Sequence, residues 1–471
     1  MNTPAPTTDI ATTGITRYKV LVGAIIVQLI LGTVYGYSIF WEPLDAEIFH
    51  QVITQAQKAE LEANGKDTSA YTVVADEKAV ADQHNDQKSY LKYAFSICIL
   101  SFAVVMVIAG RIQDIRGPRF TAIIGAILMG GGFLVAGAML GNRCASSYSE
   151  FGKLFILWAT IGFIAGAGIG FAYVCPIAAL VKWFPEKKGL VSGLAVAGFG
   201  FGAYLFTGRQ LGALGYIEEH GINQFFTIHG IICLIGIIIG ALLLKNPPGT
   251  ITTKKAIADS NWQDTIRRPA FYILWLMFFS GAMAGLMVIG IVKGFAGGQL
   301  VAAAKASGLT LDADATKSLM LEGAAAVGWL AIFNAVGRIF WGSVSDKIGR
   351  TSAFVAMFAL QAVMLFLLGR MDTKLTLAVG ASIVGFNFGG NFALFPSATA
   401  DLFGAKNLGA NYGWVFTSYG IAGVVGIAAG NKAMAMTGSY TAAFIFAAIL
   451  CLISAAMAIG LRISQKRVQT Q

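Results

Sequence analysis

The sequence predicts an all-α membrane protein of twelve transmembrane helices arranged as two pseudo-symmetric halves of six. Three observations predict it: a composition unsuited to a water-facing surface, twelve long apolar runs, and a short motif that recurs half a chain apart. Of 471 residues, 56% are hydrophobic and only 12% are charged, with a mean hydropathy of +0.68. A soluble domain carries roughly 25% charged residues, so most of this surface does not face water. The 57 glycines fit helices that pack closely in lipid.

A bilayer core needs about 20 apolar residues per helix. On that basis the runs are about 19–41, 90–110, 119–140, 153–181, 189–209, 222–244, 269–292, 319–342, 351–370, 374–400, 410–431 and 438–461. In hydrocarbon they are helices, because each backbone polar group needs an internal partner. The chain divides into an N-terminal tail (1–18), a first half (19–245), a linker (246–268), a second half (269–461) and a C-terminal tail (462–471). The tail is polar and lacks an apolar core segment, so no cleavable signal peptide is expected and the first run reads as a retained anchor. In the linker, Pro247, Pro248 and Gly249 stop helix six, and Arg267, Arg268 and Pro269 precede helix seven.

Basic residues orient the bundle. Arg111, Arg116 and Arg119, then Lys182, Lys187 and Lys188, then Lys245, Lys254, Lys255, Arg267 and Arg268, then Lys347 and Arg350 all fall in gaps on one side. Arg462, Lys466 and Arg467 follow the last run on that side. Both termini are therefore expected in the cytoplasm, with the chain a multi-pass protein of the cell or inner membrane. The opposite side carries one long polar insertion, 42–88, whose ten acidic residues against four lysines give a net −6. Its stretch QVITQAQKAELEAN is compatible with an amphipathic helix; the whole insertion reads as a solvated cap or loop, with a lid or partner site as the alternative.

The overall charge of +10 is no nucleic-acid signal, since the cations lie in short gaps rather than on one face. Cys98, Cys144, Cys175, Cys233 and Cys451 show no CxxC or metal spacing, and His50, His84, His220 and His229 show none either. No Walker or nucleophile motif is present, so an enzyme, a metal and a cofactor are all unexpected.

The repeated motif is GRIQDIRGPR (110–119) between helices two and three and GSVSDKIGR (342–350) between helices eight and nine. Each has Gly, Asp four residues on, Gly three further and then Arg, and Asp114 and Asp346 are 232 residues apart. A second pair agrees: Pro176 precedes Trp183 and Phe184 at the end of helix four, and Pro396 precedes Leu402 and Phe403 at the end of helix ten. Tandem six-helix halves place a substrate site near the midplane between them. In this reading Gly110 and Gly342 let helix ends approach, while Asp114 and Asp346 accept hydrogen bonds from a neighbouring helix N-terminus or pair with Arg119 and Arg350. Contacts made in only one access state bias the equilibrium between states. The alternative is a tight turn with basic flanks. This Gly-x-x-x-Asp-x-x-Gly loop resembles the signature of the major facilitator superfamily, and the resemblance covers residues 15–465 apart from 42–88.

Most charges sit at helix ends, among them Lys293, Lys432 and Arg209 on the insertion side and Asp401 and Lys182 on the basic side. Arg338 differs: it follows a long apolar stretch, and the next charged residue is Asp346, eight residues on, or roughly 12 Å along a helix. A guanidinium without a built-in counter-ion suits an anionic ligand, which it can grip through paired N–H groups. Snorkelling or an acidic partner on another helix are the alternatives. Asn334 lies one turn earlier on the same face, as a ligand or an interhelical bond. Tyr35, Tyr173, Phe388 and Tyr419 are aromatics in glycine-rich helix centres; each alone also reads as packing.

The stretches 182–200, 267–280, 334–350 and 393–413 together resemble the oxalate:formate antiporter family, which is related to the monocarboxylate transporters. The resemblance implies a carrier of small organic anions such as oxalate, formate, lactate or pyruvate. It places Arg338 on the family's substrate-binding arginine and Tyr35 and Tyr173 on its aromatic site residues. Tyr419 stands where the oxalate carriers have a second cation, a lysine, and Asn334 stands where the monocarboxylate transporters have a proton-linked aspartate. One cation with one hydroxyl fits a monocarboxylate better than a dianion, whose second carboxylate would be desolvated unpaired. The expected function is thus secondary transport of a monocarboxylate by a monomer in the bilayer, by exchange or with H+ as co-substrate. An oxalate or dicarboxylate antiporter, a drug or sugar exporter of the same fold, and a carboxylate sensor without transport are the rivals.

Overall fold

The computed structural model describes residues 10–69, 71–141, 148–207, 212–248, 259–323 and 325–470. Cys144, Arg209, Gly249, Lys254 and Lys255 lie outside the described residues. The first half comprises helix one (Ile10–Leu31, continued by a tighter 3-10 stretch, Gly32–Phe40), helix two (Glu77–Arg116) and helix three (Pro118–Leu140). Helix four follows as Glu150–Leu157, a π-helical stretch Trp158–Ala165 and Gly166–Trp183; then come helix five (Lys188–Thr207) and helix six (Ile222–Leu243). The second half comprises helix seven (Pro269–Ala306), helix eight (Ala313–Gly323 and Ala325–Ile348), helix nine (Arg350–Leu368), helix ten (Lys374–Phe403), helix eleven (Leu408–Thr437) and helix twelve (Thr441–Thr470). Eleven of these are long and apolar enough to cross a bilayer, and helix five adds a shorter apolar stretch, Lys188–Gly202.

Helices two, seven and eight run past the expected 90–110, 269–292 and 319–342. Hydropathy sees only the segment inside hydrocarbon, whereas a helix that satisfies its own backbone continues into water until a cap stops it. Asp76 is such a cap: its carboxylate accepts from Ala79 N–H at 2.8 Å and starts helix two at Glu77. Residues 77–88 therefore belong to helix two rather than to the insertion.

What remains of the insertion is a small folded cap. The helix Trp41–Ile48 is followed by β1 (Gln51–Thr54), the helix Gln55–Ala63 and β2 (Tyr71–Val74), with the strands parallel and in register Gln51 to Tyr71. Parallel strands need a crossover of a dozen residues or more, and the intervening helix supplies it. The expected amphipathic helix over QVITQAQKAELEAN is corrected here: Val52, Ile53 and Thr54 are β-branched and pair as a strand. Helix begins only after Thr54, which forms a reciprocal capping box with Gln57. The cap rests on the first half, where Glu150 accepts from His50 N at 2.8 Å and Lys153 donates to Glu47 O at 2.9 Å.

The halves repeat each other's packing. Helix three packs on helix six as helix nine packs on helix twelve, and helix one on six as seven on twelve. Between the halves the main seams are helix two against helix eleven and helix five against helix eight. Gly110 and Gly409 touch backbone to backbone in the first seam, and Gly189 and Gly342 in the second. A β-carbon at any of these four positions would overlap the facing main chain. Lipid-facing sides of the helices carry large exposed apolar residues, among them Ile127, Ile235, Val363 and Phe446. The end of the bundle that bears 110–119 and 342–350 is called the basic face below; the other is the insertion face.

Candidate functional site

Arg338 sits at the centre of the interface between the halves with 0% of its surface exposed. It is the one Lys, Arg, Asp or Glu among the described residues that is wholly buried. Helix eight positions it: Gly337 presses on the backbone of Phe386 in helix ten, which leaves the next residue pointing across the seam. Its Nε donates to Asn334 Oδ1 at 3.1 Å, one turn back on the same helix, and its Nη1 donates to Val196 O of helix five at 2.5 Å. The second of these bonds crosses between halves. Nη2 is buried with no hydrogen-bond partner. The ion pairs of the described residues all lie elsewhere, so the charge is met only by dipoles and ring faces. The guanidinium carbon lies 4.6 Å from the centroid of Phe392 and 5.9 Å from that of Phe199. Desolvated cation–π contacts contribute about 2 kcal/mol, well short of the several kcal/mol lost by taking an ion out of water.

Aromatic side chains from both halves enclose this charge. Tyr35 and Tyr419 share a hydroxyl–hydroxyl hydrogen bond of 2.8 Å across the interface. Tyr35 meets Phe199 edge-on at 4.9 Å, and Tyr419 meets Phe392 at 5.5 Å and Phe416 at 4.9 Å. Tyr173 packs against Phe102, Phe199 and Phe416. Tyr412, one turn before Phe416, lies opposite Tyr173, and the two buried hydroxyls interact without a partner at ordinary hydrogen-bond distance. Tyr35 is half-buried, whereas Arg338, Tyr173, Tyr412 and Tyr419 are at most 1% exposed. The cover on the insertion side is therefore the thinner one.

The sequence-derived set thus meets unevenly. Arg338, Asn334, Tyr35, Tyr173 and Tyr419 come together. Phe388 does not join them: its ring packs against Gly285 of helix seven, and Phe392, one turn later, covers the guanidinium instead. The flanking glycines misled the expectation. Gly389 receives the backbone of Asn334 and Gly390 receives Trp341 and Met357, so both serve helix packing. Phe199, Phe392, Tyr412 and Phe416 were missed. Helical spacing offered one signal, since Phe392 follows Phe388 by four residues and Tyr412, Phe416 and Tyr419 share a face of helix eleven.

Toward the basic face the interface is sealed by two related clamps. Asp346 accepts from Gly189 N at 2.9 Å and Leu190 N at 2.8 Å, within the first turn of helix five. Asp114 accepts from Gly409 N at 3.2 Å and Ala410 N at 2.8 Å, within the first turn of helix eleven. Each carboxylate satisfies two N–H groups that have no partner inside their own helix and sits at the positive end of the helix dipole. The surroundings differ. Arg350 bonds Asp346 at 2.7 Å and Asp401 at 3.0 Å, and Lys188 reaches Asp401 across the interface at 2.7 Å. Asp114 has Lys182 at 3.7 Å, not an arginine. The expectation that Arg119 mirrors Arg350 is corrected: Arg119 donates to Leu242 O at 2.6 Å, at the end of helix six in its own half. The fixed turn of Gly117 and Pro118 between Asp114 and Arg119 starts a new helix, which carries Arg119 away from the carboxylate.

Two six-helix halves around a central unpaired cation, sealed at one end by contacts between the halves, define a polytopic membrane transporter. The chain belongs to the Major Facilitator Superfamily, whose family model matches residues 64–311 and 316–470. It is 29% identical over 415 residues to the uncharacterized MFS-type transporter YhjX of Escherichia coli (strain K12), covering 87% of this chain and 86% of that protein. It is 30% identical over 361 residues to the oxalate:formate antiporter of Oxalobacter formigenes, covering 74% of this chain and 77% of that one. Among solved structures it resembles the transporter FucP in its outward conformation, with a TM-score of 0.60 at 12% identity over 93% of this chain and 97% of that chain, a likeness of fold.

Proposed function

We propose that the protein is a secondary transporter of small monocarboxylates such as formate, lactate or pyruvate, working by alternating access. The observation that carries this reading is the wholly buried Arg338 whose Nη2 has no partner and whose charge meets no carboxylate. A carboxylate entering from the insertion side supplies the missing counter-charge and a charge-assisted hydrogen bond, worth about twice a neutral one. Asn334 holds the guanidinium by Nε. Tyr35, Tyr173 and Tyr419 wall the anion off from water. The similarity to a protein named an oxalate:formate antiporter supports a small organic anion. Tyr419 hydrogen-bonds Tyr35 and brings no second positive charge, which favours a monoanion over a dicarboxylate. The clamps of Asp114 and Asp346, with Gly110, Gly342 and Arg350, act as the gate on the basic face, which we place in the cytoplasm together with both termini.

With no anion bound, the unneutralised arginine resists full closure on either side. That favours exchange of one anion for another, while a proton travelling with the acid is the coupling rival. The test is uptake of labelled pyruvate and formate into proteoliposomes. Arg338→Ala should reduce initial rates at least a hundredfold, and Arg338→Lys should recover part of the loss, since ammonium keeps the charge but not the planar donors. Unchanged uptake in Arg338→Ala removes the arginine from the role.

A further inference from the structure

Arg338 enters the site with two of its three nitrogens already engaged, Nε by Asn334 and Nη1 by Val196 O. The Nε hydrogen and one Nη1 hydrogen are thus taken, and Nη2 is the nitrogen left with no partner. Near it stand two hydroxyls that make no close hydrogen bond among the described residues, those of Tyr173 and Tyr412. Both residues are at most 1% exposed, neither hydroxyl has a partner within ordinary hydrogen-bond distance, and each feels the other and the charge of Arg338. A buried hydroxyl left unpaired costs about 1–3 kcal/mol, so two facing each other mark a place for a polar atom. The Tyr35–Tyr419 pair is different, because those hydroxyls bond each other at 2.8 Å, whereas Tyr173 and Tyr412 interact without closing to that distance.

Height in the bundle separates the two tyrosines of helix eleven. Tyr412 is four residues into helix eleven from its basic end at Leu408, and Tyr419 is seven residues further on, about 10 Å along the axis. Tyr173 comes from the first half and Tyr412 from the second, so a polar atom held between them bridges the halves beside the arginine. The aromatic rings of Phe102, Phe199 and Phe416 fill the rest of the wall, leaving these hydroxyls as the specific polar feature.

We infer that Tyr173 and Tyr412 form a second pole of the site that reads an oxygen on the carbon next to the carboxylate, selecting 2-oxo and 2-hydroxy acids over plain alkanoates. This rests on the carboxylate reading of Arg338 given above and deepens it. The carboxylate lies at Nη2 toward the tyrosine bridge of Tyr35 and Tyr419. The neighbouring oxo or hydroxyl oxygen accepts O–H hydrogen bonds from Tyr173 and Tyr412. An alkanoate offers a CH2 group there and leaves both hydroxyls orphaned. A site built to hydrogen-bond a substrate oxygen rejects an analogue lacking it far better than an apolar pocket rejects a small change in size.

The experiment measures binding of pyruvate, lactate and propionate to the purified protein by titration calorimetry, in the wild type and in Tyr173→Phe, Tyr412→Phe and Arg338→Gln. Wild type should prefer pyruvate and lactate to propionate by at least tenfold. Each Tyr→Phe change should shrink that preference by about fivefold, as expected for loss of one net hydrogen bond of about 1 kcal/mol. Equal weakening of all three acids in Tyr412→Phe would mean a packing role and overturn the inference, as would an unchanged preference in both variants. Should either variant fail to fold, the wild-type series still decides, since a pyruvate-to-propionate preference near one overturns it alone. Arg338→Gln separates the layers: it should abolish propionate as well as pyruvate binding. If propionate binding survives there, the carboxylate reading of Arg338 fails, whatever the tyrosines do.

Discussion

The interface between the halves is closed in two ways on the two sides of Arg338. Toward the basic face it is held by main chain: paired glycines in backbone contact, and two carboxylates that each cap the first turn of a helix in the opposite half. Toward the insertion face the cross-half hydrogen bond over the arginine is that of Tyr35 and Tyr419, beside side-chain packing such as Ala103 against Gly420 and Ile99 against Gly423. Backbone contacts and helix-end charges give a seal with two discrete positions, made or broken. A tyrosine pair gives a cover that yields by side-chain rotation. The difference teaches that the two access states cost different amounts to leave, and that a ligand reaching Arg338 from the insertion face has the smaller barrier to cross.

The largest effect that would break this comparison is steric. Gly110→Leu or Gly342→Leu places a side chain where the main chain of Gly409 or Gly189 now stands. Basic-face closure should be lost and transport should fall at least a hundredfold. Spin-label distances between the basic ends of helices five and eight should lengthen; an unchanged distance would remove the glycine contacts from the seal.

Next come the clamps, which sharpen the comparison by their inequality. Asp346 carries Arg350 at 2.7 Å whereas Asp114 has Lys182 only at 3.7 Å. Neutralising either leaves helix N–H groups poorly satisfied and costs the closed state about 1–3 kcal/mol. Asp346→Asn should open the basic face more than Asp114→Asn, read from the same distances. Equal shifts would show that the capped N–H groups alone set the energy.

Smaller still, Tyr35→Phe or Tyr419→Phe removes one neutral hydrogen bond. It should shift the insertion-side equilibrium toward open by about fivefold, from roughly 1 kcal/mol. Single-molecule fluorescence between helices one and seven reads it.

The smallest effect concerns the cap, which rests on the first half. The Asp45 carboxyl lies above the usual carboxylate range: partial burial raises it first, and Glu42 adds, against the opposing pull of His84 and Lys88. A raised folded-state value means that the proton is held more tightly when folded. That stabilisation is fully present below the ordinary carboxylate range and is lost as pH rises through the raised value. The melting temperature should therefore rise slightly on acidification through that window, and Asp45→Asn should flatten the slope without moving the gate.

The parts legible in the sequence are those written in local chemistry. Twelve apolar runs, the repeated Gly-x-x-x-Asp loops and the isolated Arg338 need no knowledge of neighbours, and the bundle follows from the bilayer's demand on backbone polar groups. What escaped depends on distant partners. Val52 to Thr54 are a strand only because Tyr71 to Val74 lie beside them. Phe392 replaces Phe388 because the rotation of helix ten is set by which glycines helices seven and eight press into. Arg119 departs from Arg350 because the end of helix six offers it a carbonyl. Tyr412 reads as an ordinary core aromatic until Tyr173 of the other half is placed opposite it.

The central claim is that a substrate's negative charge completes Arg338. Calorimetric titration of the purified protein with pyruvate and with its uncharged amide, pyruvamide, tests it most directly. The account predicts saturable binding of pyruvate, none of pyruvamide, and at least a hundredfold loss of pyruvate affinity in Arg338→Gln, in line with the 2–5 kcal/mol lost when one partner of a buried charge pair is removed. Pyruvamide binding as tightly as pyruvate, or Arg338→Gln binding pyruvate within a factor of about two of wild type, would contradict it.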